Sequence, residues 1–361
     1  MIVSDFELQL STMPKEDPAW RFALGANPLV EGLILRLSTK DGVCGYGYAA
    51  SAPHMGSLTS AMRAELEHFR GSVVGREAGD ISAIMADLDR KLRGAAQSKA
   101  AIDCALHDLL ARSLNVPLNL LFGGAVRRSI PVLRILAIKT PEEMAGNAQK
   151  LVEQGVRYLK IKVHGDVDED VARVRAIRQK VGAAIHLTVD ANQAYGVKDA
   201  VTAIQKMAEY NIDLVEQPVD AQDYEGLALV TRLVPVTVEA DEGAGSLEEI
   251  FQIVSRRQAD AVSLKIPKLG GLRNTLAAAR LCEAGGIRYR FGAAVGSRLL
   301  TAHALQLAST LGAVDYACEF GEFDRLKDDR FEGIAVVKGE ISLPQGPGTG
   351  VRPVERKDQH A

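Results

Sequence analysis

The first third of the chain holds two strand-like apolar runs with a turn between them. The first run covers residues 29–37, a turn follows at Asp41–Gly42, and the second run covers residues 43–48. Two apolar runs joined by an Asp-Gly turn predict an antiparallel β-hairpin. From residue 60 to 114, apolar residues recur at spacings of three and four, which predicts about three amphipathic helices after the hairpin.

A break in the pattern separates this first part from the rest. Residues 115–117, Asn-Val-Pro, end the last predicted helix, and Gly123–Gly124 is typical of a linker. We therefore predict an α+β domain over residues 1–125 and a different architecture over residues 126–325. The remaining residues, 326–361, hold a strand-turn-strand pattern and a coil rich in Pro and Gly, and we expect this segment to return to the first domain.

From residue 130 onward, short apolar runs alternate with helical stretches, as in βα units that build a parallel sheet. The eight apolar runs cover residues 130–136, 158–163, 185–189, 214–215, 236–238, 261–264, 287–291 and 314–318. Eight strands fit a closed (β/α)8-type barrel better than an open doubly wound sheet, in which about six strands or fewer are usual. No Gly-x-Gly-x-x-Gly opens any of the predicted helices.

Composition and charge exclude several classes of protein. The chain has 361 residues, of which 47% are hydrophobic and 25% charged, so intrinsic disorder is excluded. Its 43 basic and 46 acidic residues leave a formal charge of -3, and no global positive field attracts nucleic acid or anionic lipid. No apolar run approaches the roughly 20 residues of a spanning helix, and residues 1–20 lack a signal-peptide pattern. We therefore expect a cytoplasmic protein that binds neither nucleic acid nor a membrane.

Functional side chains of a (β/α)8-type barrel come from the carboxyl ends of its strands. The residues at those ends are Lys160, Lys162, Asp190, Glu216, Asp241, Lys265, Gly292 and Glu319. From Lys162 on, they follow one another at intervals of 24 to 28 residues, one for each βα unit. This spacing predicts that they surround one mouth of the barrel.

Three carboxylates follow three consecutive predicted strands: Asp190, Glu216 and Asp241. They offer hard oxygen ligands, which suit Mg²⁺ or Mn²⁺, whereas a zinc site would use histidine or thiolate. None of the seven histidines falls at a strand end. Each carboxylate could instead be a helix N-cap, but three in succession between two lysine positions favour a metal site, because converging carboxylates without a cation repel one another.

Two lysines, Lys162 and Lys265, lie at the ends of the second and sixth predicted strands and so flank the carboxylates. A lysine acts as a base only if its pKa falls well below about 10.4, and nearby positive charge and burial have that effect. Lys160 lies two residues before Lys162 and shares its strand face, so it can pair with a substrate carboxylate. Lys268 is a weaker candidate.

Five segments together resemble the muconate lactonizing enzyme subgroup of the enolase superfamily, within the mandelate racemase/muconate lactonizing enzyme family. They are Leu159–Lys162, Val189–Gln193, Val215–Pro218, Glu239–Glu242 and Leu264–Leu272. Residues 101–124 resemble the end of that family's α+β capping domain. The resemblance covers nearly the whole chain and implies an α/β fold, a TIM-type (β/α)7β barrel with an N-terminal capping domain completed by the C-terminal tail.

The resemblance also implies a chemistry. A Mg²⁺ held by the three carboxylates would bind a substrate carboxylate, and the proton α to that carboxylate would be removed. Lys162 and Lys265 would face opposite sides of the α-carbon, while Lys160 and the ion would stabilise the enediolate. Asn192 would lie beside the metal ligands.

Several net reactions fit such a site. Removal and return of the proton by two lysines give racemisation or epimerisation, and the same pair serves muconate-type cycloisomerisation. β-Elimination and epimerisation of an N-acyl amino acid or a dipeptide are alternatives on the same site. A non-catalytic, ligand-binding relative is the alternative of another class, but such a chain has no reason to keep both lysines and all three carboxylates. By resemblance we also expect a small carboxylate substrate and an even-numbered homo-oligomer.

Substrate choice is predicted to lie in two loops of the capping domain, at residues 13–28 and 50–56, which would close over the mouth. The candidate substrate contacts are Trp20, His54, Arg134, Arg298 and Glu319. For Trp20 the alternative is packing on the barrel rim, and for His54 it is exposure to solvent.

The chain departs from the family pattern at two strand ends. Gly292 follows the seventh strand, where many members carry an acidic residue in a Met-x-Glu segment. At the eighth strand dipeptide epimerases have Asp-x-Asp to hold a substrate ammonium, whereas this chain has Glu319 and Gly321 at those positions. The second departure counts against dipeptide epimerisation.

Overall fold

The structure is a computed structural model, and it describes residues 1–26, 28–53, 56–292, 294–312 and 314–354. Two layers are present. An antiparallel sheet with three helices forms a capping domain, and a curled parallel sheet with helices around it forms the barrel. The α/β fold class predicted from the sequence is confirmed.

The capping sheet has three strands, Val3–Pro14, Leu29–Thr39 and Cys44–Ala50, with the second in the middle. The last two form the predicted hairpin, since Ser38 pairs with Cys44 beside the turn. The first strand did not emerge from the sequence because its buried residues, Val3, Phe6, Ser11 and Met13, do not alternate regularly with exposed ones. Three helices follow and pack on the sheet, as predicted: Thr59–Val73, Ile81–Lys91 and Ala96–Ser113.

Seven parallel strands, called barrel strands 1 to 7 below, pair in sequence order. They are Leu133–Leu136, Tyr158–Lys162, His186–Asp190, Leu214–Glu216, Thr237–Ala240, Ala261–Leu264 and Arg288–Phe291. The helices of the barrel are Pro141–Glu153, Val167–Val181, Val197–Ala208, Tyr224–Leu233, Leu247–Arg256, a short one at Ile266–Leu269, Leu272–Gly285 and Arg298–Ala308. Sequence-adjacent strands are therefore spatial neighbours, which is the order of a barrel rather than of a doubly wound sheet.

The eighth predicted run closes the barrel without forming a regular strand. Leu133 donates its N–H to the carbonyl of Cys318 at 2.8 Å, and Glu319 donates to the carbonyl of Phe291 at 3.0 Å. The segment thus bonds to barrel strands 1 and 7 on its two sides. Its only ladder contact among the described residues is an isolated bridge between Val132 and Cys318.

The tail returns to both layers. Glu340–Ser342 pairs with Ser129–Pro131 at the entrance to the barrel, and Phe331–Glu332 pairs with Arg352–Pro353. The backbone N–H of Thr349 donates to the buried carboxylate of Asp108, in the third capping helix, at 2.8 Å. The tail therefore completes the capping layer as predicted, whereas the domain boundary near residue 125 stays a prediction.

A glycine lies where the third capping helix meets the barrel. Asp103 accepts a hydrogen bond from the N–H of Leu272 at 2.6 Å, at the start of a barrel helix. Gly271, just before that helix, has a φ of +130°, and a Cβ there would lie 2.6 Å from the Cβ of Asp103. Only glycine combines this backbone conformation with so close an approach.

None of the described helices combines the length and the apolar content that crossing a membrane requires. Cys104, Cys282 and Cys318 are buried and Cys44 is partly exposed, and all four are free thiols.

Candidate active site

The carboxyl ends of the barrel strands bring the predicted residues to one level. Parallel pairing sets Lys162 opposite Asp190 and Asp190 opposite Glu216. A cavity of about 80 Å³ opens above this level. Its polar lining consists of Lys160, Lys162, Asn192, Asp241, Glu242, Lys265, Lys268 and Glu319, together with Ser51 and Gln97 of the capping domain.

Lys160 lies among three carboxylates and is only 1% exposed. Its Nζ is 2.6 Å from Asp190 Oδ2, 2.7 Å from Glu216 Oε2 and 2.7 Å from Glu319 Oε1. Burial by itself lowers the pKa of Lys160, but these carboxylates outweigh it and raise that pKa well above its usual range. Lys160 is therefore a fixed positive charge at the floor of the cavity.

Lys162 lines the cavity from barrel strand 2. Its Nζ donates to Asp190 Oδ2 and to Asn192 Oδ1, each at 2.6 Å. Asn192 also donates from Nδ2 to Glu242 Oε1 at 3.0 Å, and its N–H donates to Asp190 Oδ1 at 2.9 Å. Asn192 thus touches both a predicted base and a predicted metal ligand, which agrees with its expected place.

Lys265 lines the cavity from the end of barrel strand 6 and contacts Asp241 Oδ2. Burial by itself lowers the pKa of Lys265, but Asp241, with Glu216 and Glu319, raises it above its usual range. From the sequence we expected a lowered pKa for the two catalytic lysines, Lys162 and Lys265. For Lys265 the direction in the structure is the opposite, because a carboxylate touches its ammonium.

Lys268 supports Asp241 from the other side. Its Nζ lies 2.8 Å from Asp241 Oδ1 and also donates to the backbone carbonyls of Asp241, at 2.6 Å, and Ser263, at 3.0 Å. The three acceptors hold its ammonium in place, so Lys268 is suited to fix Asp241 and not to move a proton.

A buried arginine below the mouth was missed by the sequence argument. Arg290, on barrel strand 7, donates from Nε to Glu239 at 3.0 Å and from Nη1 to Glu319 at 2.9 Å, and it contacts Glu216. Burial lowers the pKa of Arg290, but the three carboxylates raise it well above its usual range. The signal in the sequence was an arginine at alternate positions of a short apolar run, Arg-Tyr-Arg-Phe.

The donor set fits a hard divalent cation. Asp190, Glu216 and Asp241 end or follow barrel strands 3, 4 and 5 and are all buried. Glu216 Oε1 is buried and has no hydrogen-bond partner among the described residues, which is costly unless a cation or a donor meets it. In the part of the chain that the structure describes, no three acidic, histidine or cysteine side chains form a ready-made metal site. Lysine ammoniums lie against these carboxylates instead.

The structure does not bring Arg134 and Arg298 to the cavity. Arg134 pairs with Asp324 at 2.7 Å and contacts the carbonyl of Gly321. Arg298 pairs with Asp329 at 3.2 Å. Both guanidinium groups are thus held by the segment after the barrel closure, because acidic side chains there lie nearer than the cavity does.

Of the predicted loop contacts, Trp20 lies beside the cavity rather than in it. Its ring is tilted against that of Phe22, with the ring centroids 5.5 Å apart, and Phe22 lines the cavity. His54 lies outside the described residues. Gln97 and Glu242 are cavity residues that were not selected from the sequence. Gln97 comes from the capping domain and carries no motif of its own.

Comparisons with known proteins agree with this architecture. The enolase C-terminal domain-like family matches residues 143–357, and the mandelate racemase/muconate lactonizing enzyme N-terminal domain matches residues 13–123. A substrate-liganded L-Ala-D/L-Glu epimerase from Bacillus subtilis is 30% identical, with a TM-score of 0.95 over 99% of this chain and 100% of that one. The dipeptide epimerase from Enterococcus faecalis V583, complexed with Mg and L-Leu-L-Tyr, is 31% identical, with a TM-score of 0.93 over 97% and 99% of the two chains.

A relative with another named activity is equally similar in sequence. Muconate cycloisomerase 1 of Rhodococcus opacus is 33% identical over 336 residues, which are 91% of this chain and 89% of that protein. Epimerases and cycloisomerases are both isomerases, so the relatives agree on the class of enzyme and differ in the substrate. With both family domains matched along the chain, this protein belongs to the enolase superfamily, in its mandelate racemase/muconate lactonizing enzyme family.

Proposed function

We propose that this protein is a Mg²⁺-dependent isomerase that removes the proton α to a substrate carboxylate and returns it to the other face, as a racemase or epimerase. The observation that carries the proposal is the placement of Lys162 and Lys265 on barrel strand 2 and after barrel strand 6, both lining one cavity. Strands 2 and 6 lie on opposite sides of a barrel with eight positions. Two bases on opposite sides suit proton removal from one face and proton return to the other.

The ion would be held by Asp190, Glu216 and Asp241. When bound, it supplies positive charge that favours ionisation next to the substrate carboxylate. The buried Oε1 of Glu216 without a partner supports this assignment, as does the Mg in the Enterococcus faecalis relative.

The chain's own residues supply the rest of the chemistry. Lys160 keeps its charge and stabilises the negative charge that develops as the proton leaves. Asp190 and Asp241 each hold one of the two catalytic lysines. One lysine must be neutral to accept the proton while the other is charged to donate it, so the lysine that acts as the base must give up its contact with Asp190 or Asp241.

The test is exchange of the α-proton in heavy water. The protein is incubated with Mg²⁺ and a panel of N-acyl amino acids, dipeptides, muconates and proline derivatives, and deuterium uptake is followed by mass spectrometry. We expect uptake, and Lys265→Ala should reduce it by about a hundredfold or more for one enantiomer of the acid, whereas the exposed Lys198→Ala should leave it unchanged. No uptake from any acid, with Mg²⁺ shown to bind, would contradict the proposal and favour the non-catalytic, ligand-binding alternative.

Cycloisomerisation is the second candidate, favoured by the similarity to muconate cycloisomerase 1. In that reaction one lysine exchanges the proton while the other acts only through its charge. A product lactone from muconate, with no racemisation of any N-acyl amino acid or dipeptide, would select it. β-Elimination would instead release a leaving group from the β-carbon.

The expected cytoplasmic location and even-numbered homo-oligomer belong to this proposal as well. Light scattering of the purified protein checks the second expectation, and an odd-numbered or monomeric mass would contradict it.

A further inference from the structure

A second cavity, of about 420 Å³, adjoins the first and shares Ile135 and Val295 with it. Its lining includes Lys15 and Trp20, which belong to the capping segment after the first strand. A substrate held by its α-carboxylate in the first cavity can therefore extend into the second. The charges that line the second cavity indicate which chemical group it binds.

Lys15 is a buried cation that forms no ion pair with any acid of the described residues. Its side chain is 9% exposed, and the described residues give its ammonium neither a hydrogen bond nor an ion pair. Its Nζ lies over the face of Trp20, 3.4 Å from the ring centroid. Burial lowers the pKa of Lys15 to about 8, although Glu322 and Asp17 act in the opposite direction, as expected for an ammonium whose burial is only partly compensated.

The acids that line the same cavity are already engaged. Asp17 pairs with Lys139 at 2.9 Å and Asp324 with Arg134 at 2.7 Å. Glu322 accepts from the N–H of Ile135 at 3.4 Å and lies 3.7 Å from Arg325. Glu16, the remaining acid of the lining, is exposed. Lys150, a further cation of the lining, is exposed like Glu16. Among the described residues of the lining, Lys15 is therefore the buried charge that no acid pairs with.

We infer that the second cavity binds a negatively charged group at the far end of the substrate, and that Lys15 is the residue that binds it. The substrate class is then a carboxylic acid with a second anionic group, such as a dicarboxylic N-acyl amino acid. This inference rests on the proposed function for the position of the α-carboxylate, but the binding of the anion to Lys15 needs no turnover.

Three probes of equal length test it. They are N-succinyl-L-phenylalanine, its N-succinamoyl analogue and N-(4-aminobutanoyl)-L-phenylalanine, whose far ends are an anion, a neutral amide and an ammonium. Binding is read from the fluorescence of Trp20, the single tryptophan of the chain, which lies against Lys15. Deuterium exchange is measured on the same samples with Mg²⁺.

We expect the succinyl probe to bind at least about tenfold more tightly than the succinamoyl probe, since a charge-assisted contact replaces a neutral one. Lys15→Met should abolish that ratio and Lys15→Arg should largely keep it. Equal affinities, or a ratio that survives in Lys15→Met, would overturn the inference, and so would preference for the ammonium probe.

These measurements distinguish failure of the anion site from failure of the proposed reaction. If the succinyl preference is present and depends on Lys15 but no probe exchanges its proton, the anion site stands and the proposed reaction fails. If all probes exchange without regard to charge, the reaction stands and the anion site fails.

Discussion

Replacing Lys15 by methionine should stabilise the fold while it weakens binding of an anionic substrate. Methionine keeps the length and the apolar stem of lysine but removes a buried charge that has no ion-pair partner among the described residues. A residue kept for packing would do the reverse, since its loss destabilises. The variant therefore separates a binding role from a structural one.

The magnitude follows from the pKa of Lys15, which falls from 10.5 to about 8 in the folded protein. At 1.36 kcal/mol for each unit, the buried charge costs about 3 kcal/mol of folding free energy. The cation–π contact with Trp20 offsets about 1 kcal/mol of that and is lost with the charge. We expect Lys15→Met to raise the free energy of unfolding by about 2 kcal/mol at pH 7.

The stability gained by Lys15→Met should decrease as the pH rises. Below pH 8 lysine is charged in both the folded and the unfolded state, so the cost is fully present. Between pH 8 and 10.5 the unfolded state binds more protons than the folded state, so the stability of the wild type rises with pH relative to the variant. The advantage of Lys15→Met should therefore shrink across that range and vanish above it.

Urea unfolding followed by far-ultraviolet circular dichroism at pH 7 and pH 10 measures the difference. Lys198→Met, at an exposed position, is the matched control and should change stability by less than about 0.5 kcal/mol. A Lys15→Met variant that is destabilised at pH 7, or a difference that is the same at both pH values, would refute the reasoning.

Three further predictions concern the site and its support. A Cβ at Gly292 would lie 2.7 Å from Lys265 Cε. Gly292→Ala should therefore displace that lysine and slow deuterium exchange at least about tenfold. The control Gly146→Ala should leave the exchange rate unchanged, because a Cβ there would meet open space. Asp108 accepts hydrogen bonds from one backbone N–H of the hairpin and one of the tail and so links the two segments. Asp108→Ala should lower the free energy of unfolding, measured in urea, by about 3 kcal/mol. A loss below about 0.5 kcal/mol would count against a stabilising role for this link. Chelation should abolish exchange and lower the melting temperature, since Mg²⁺ at 100 times its Kd adds about 2.7 kcal/mol. Glu216→Gln should lose that thermal shift, and a full shift in this variant would argue against Glu216 as a ligand.

The barrel and the floor of its cavity could be predicted because their pattern is local. Each strand is a short apolar run, and the residue at its end must point into the mouth, so the spacing alone selected Lys162, Asp190, Glu216 and Lys265. The same argument holds for the hairpin, whose turn and periodicity lie within one segment. No long-range information was needed.

The remaining features depend on contacts between distant segments. Arg134 has a position that suits a substrate contact, but Asp324, 190 residues later, pairs with it. The direction of the Lys265 pKa depends on Asp241 touching its ammonium. Lys15 carries no motif, and only the fold shows that its charge is buried over the ring of Trp20 with no acid of the described residues paired to it.

The central claim is that two lysines act on opposite faces of one α-carbon, and exchange by single-lysine variants on separate enantiomers tests it most directly. Lys162→Ala and Lys265→Ala are each incubated in heavy water with the L and the D form of the acid identified by the panel. The account predicts that neither variant racemises the acid and that each exchanges only one enantiomer, a different one in each case. Exchange of both enantiomers by one variant, or full racemisation without one of the lysines, would contradict it.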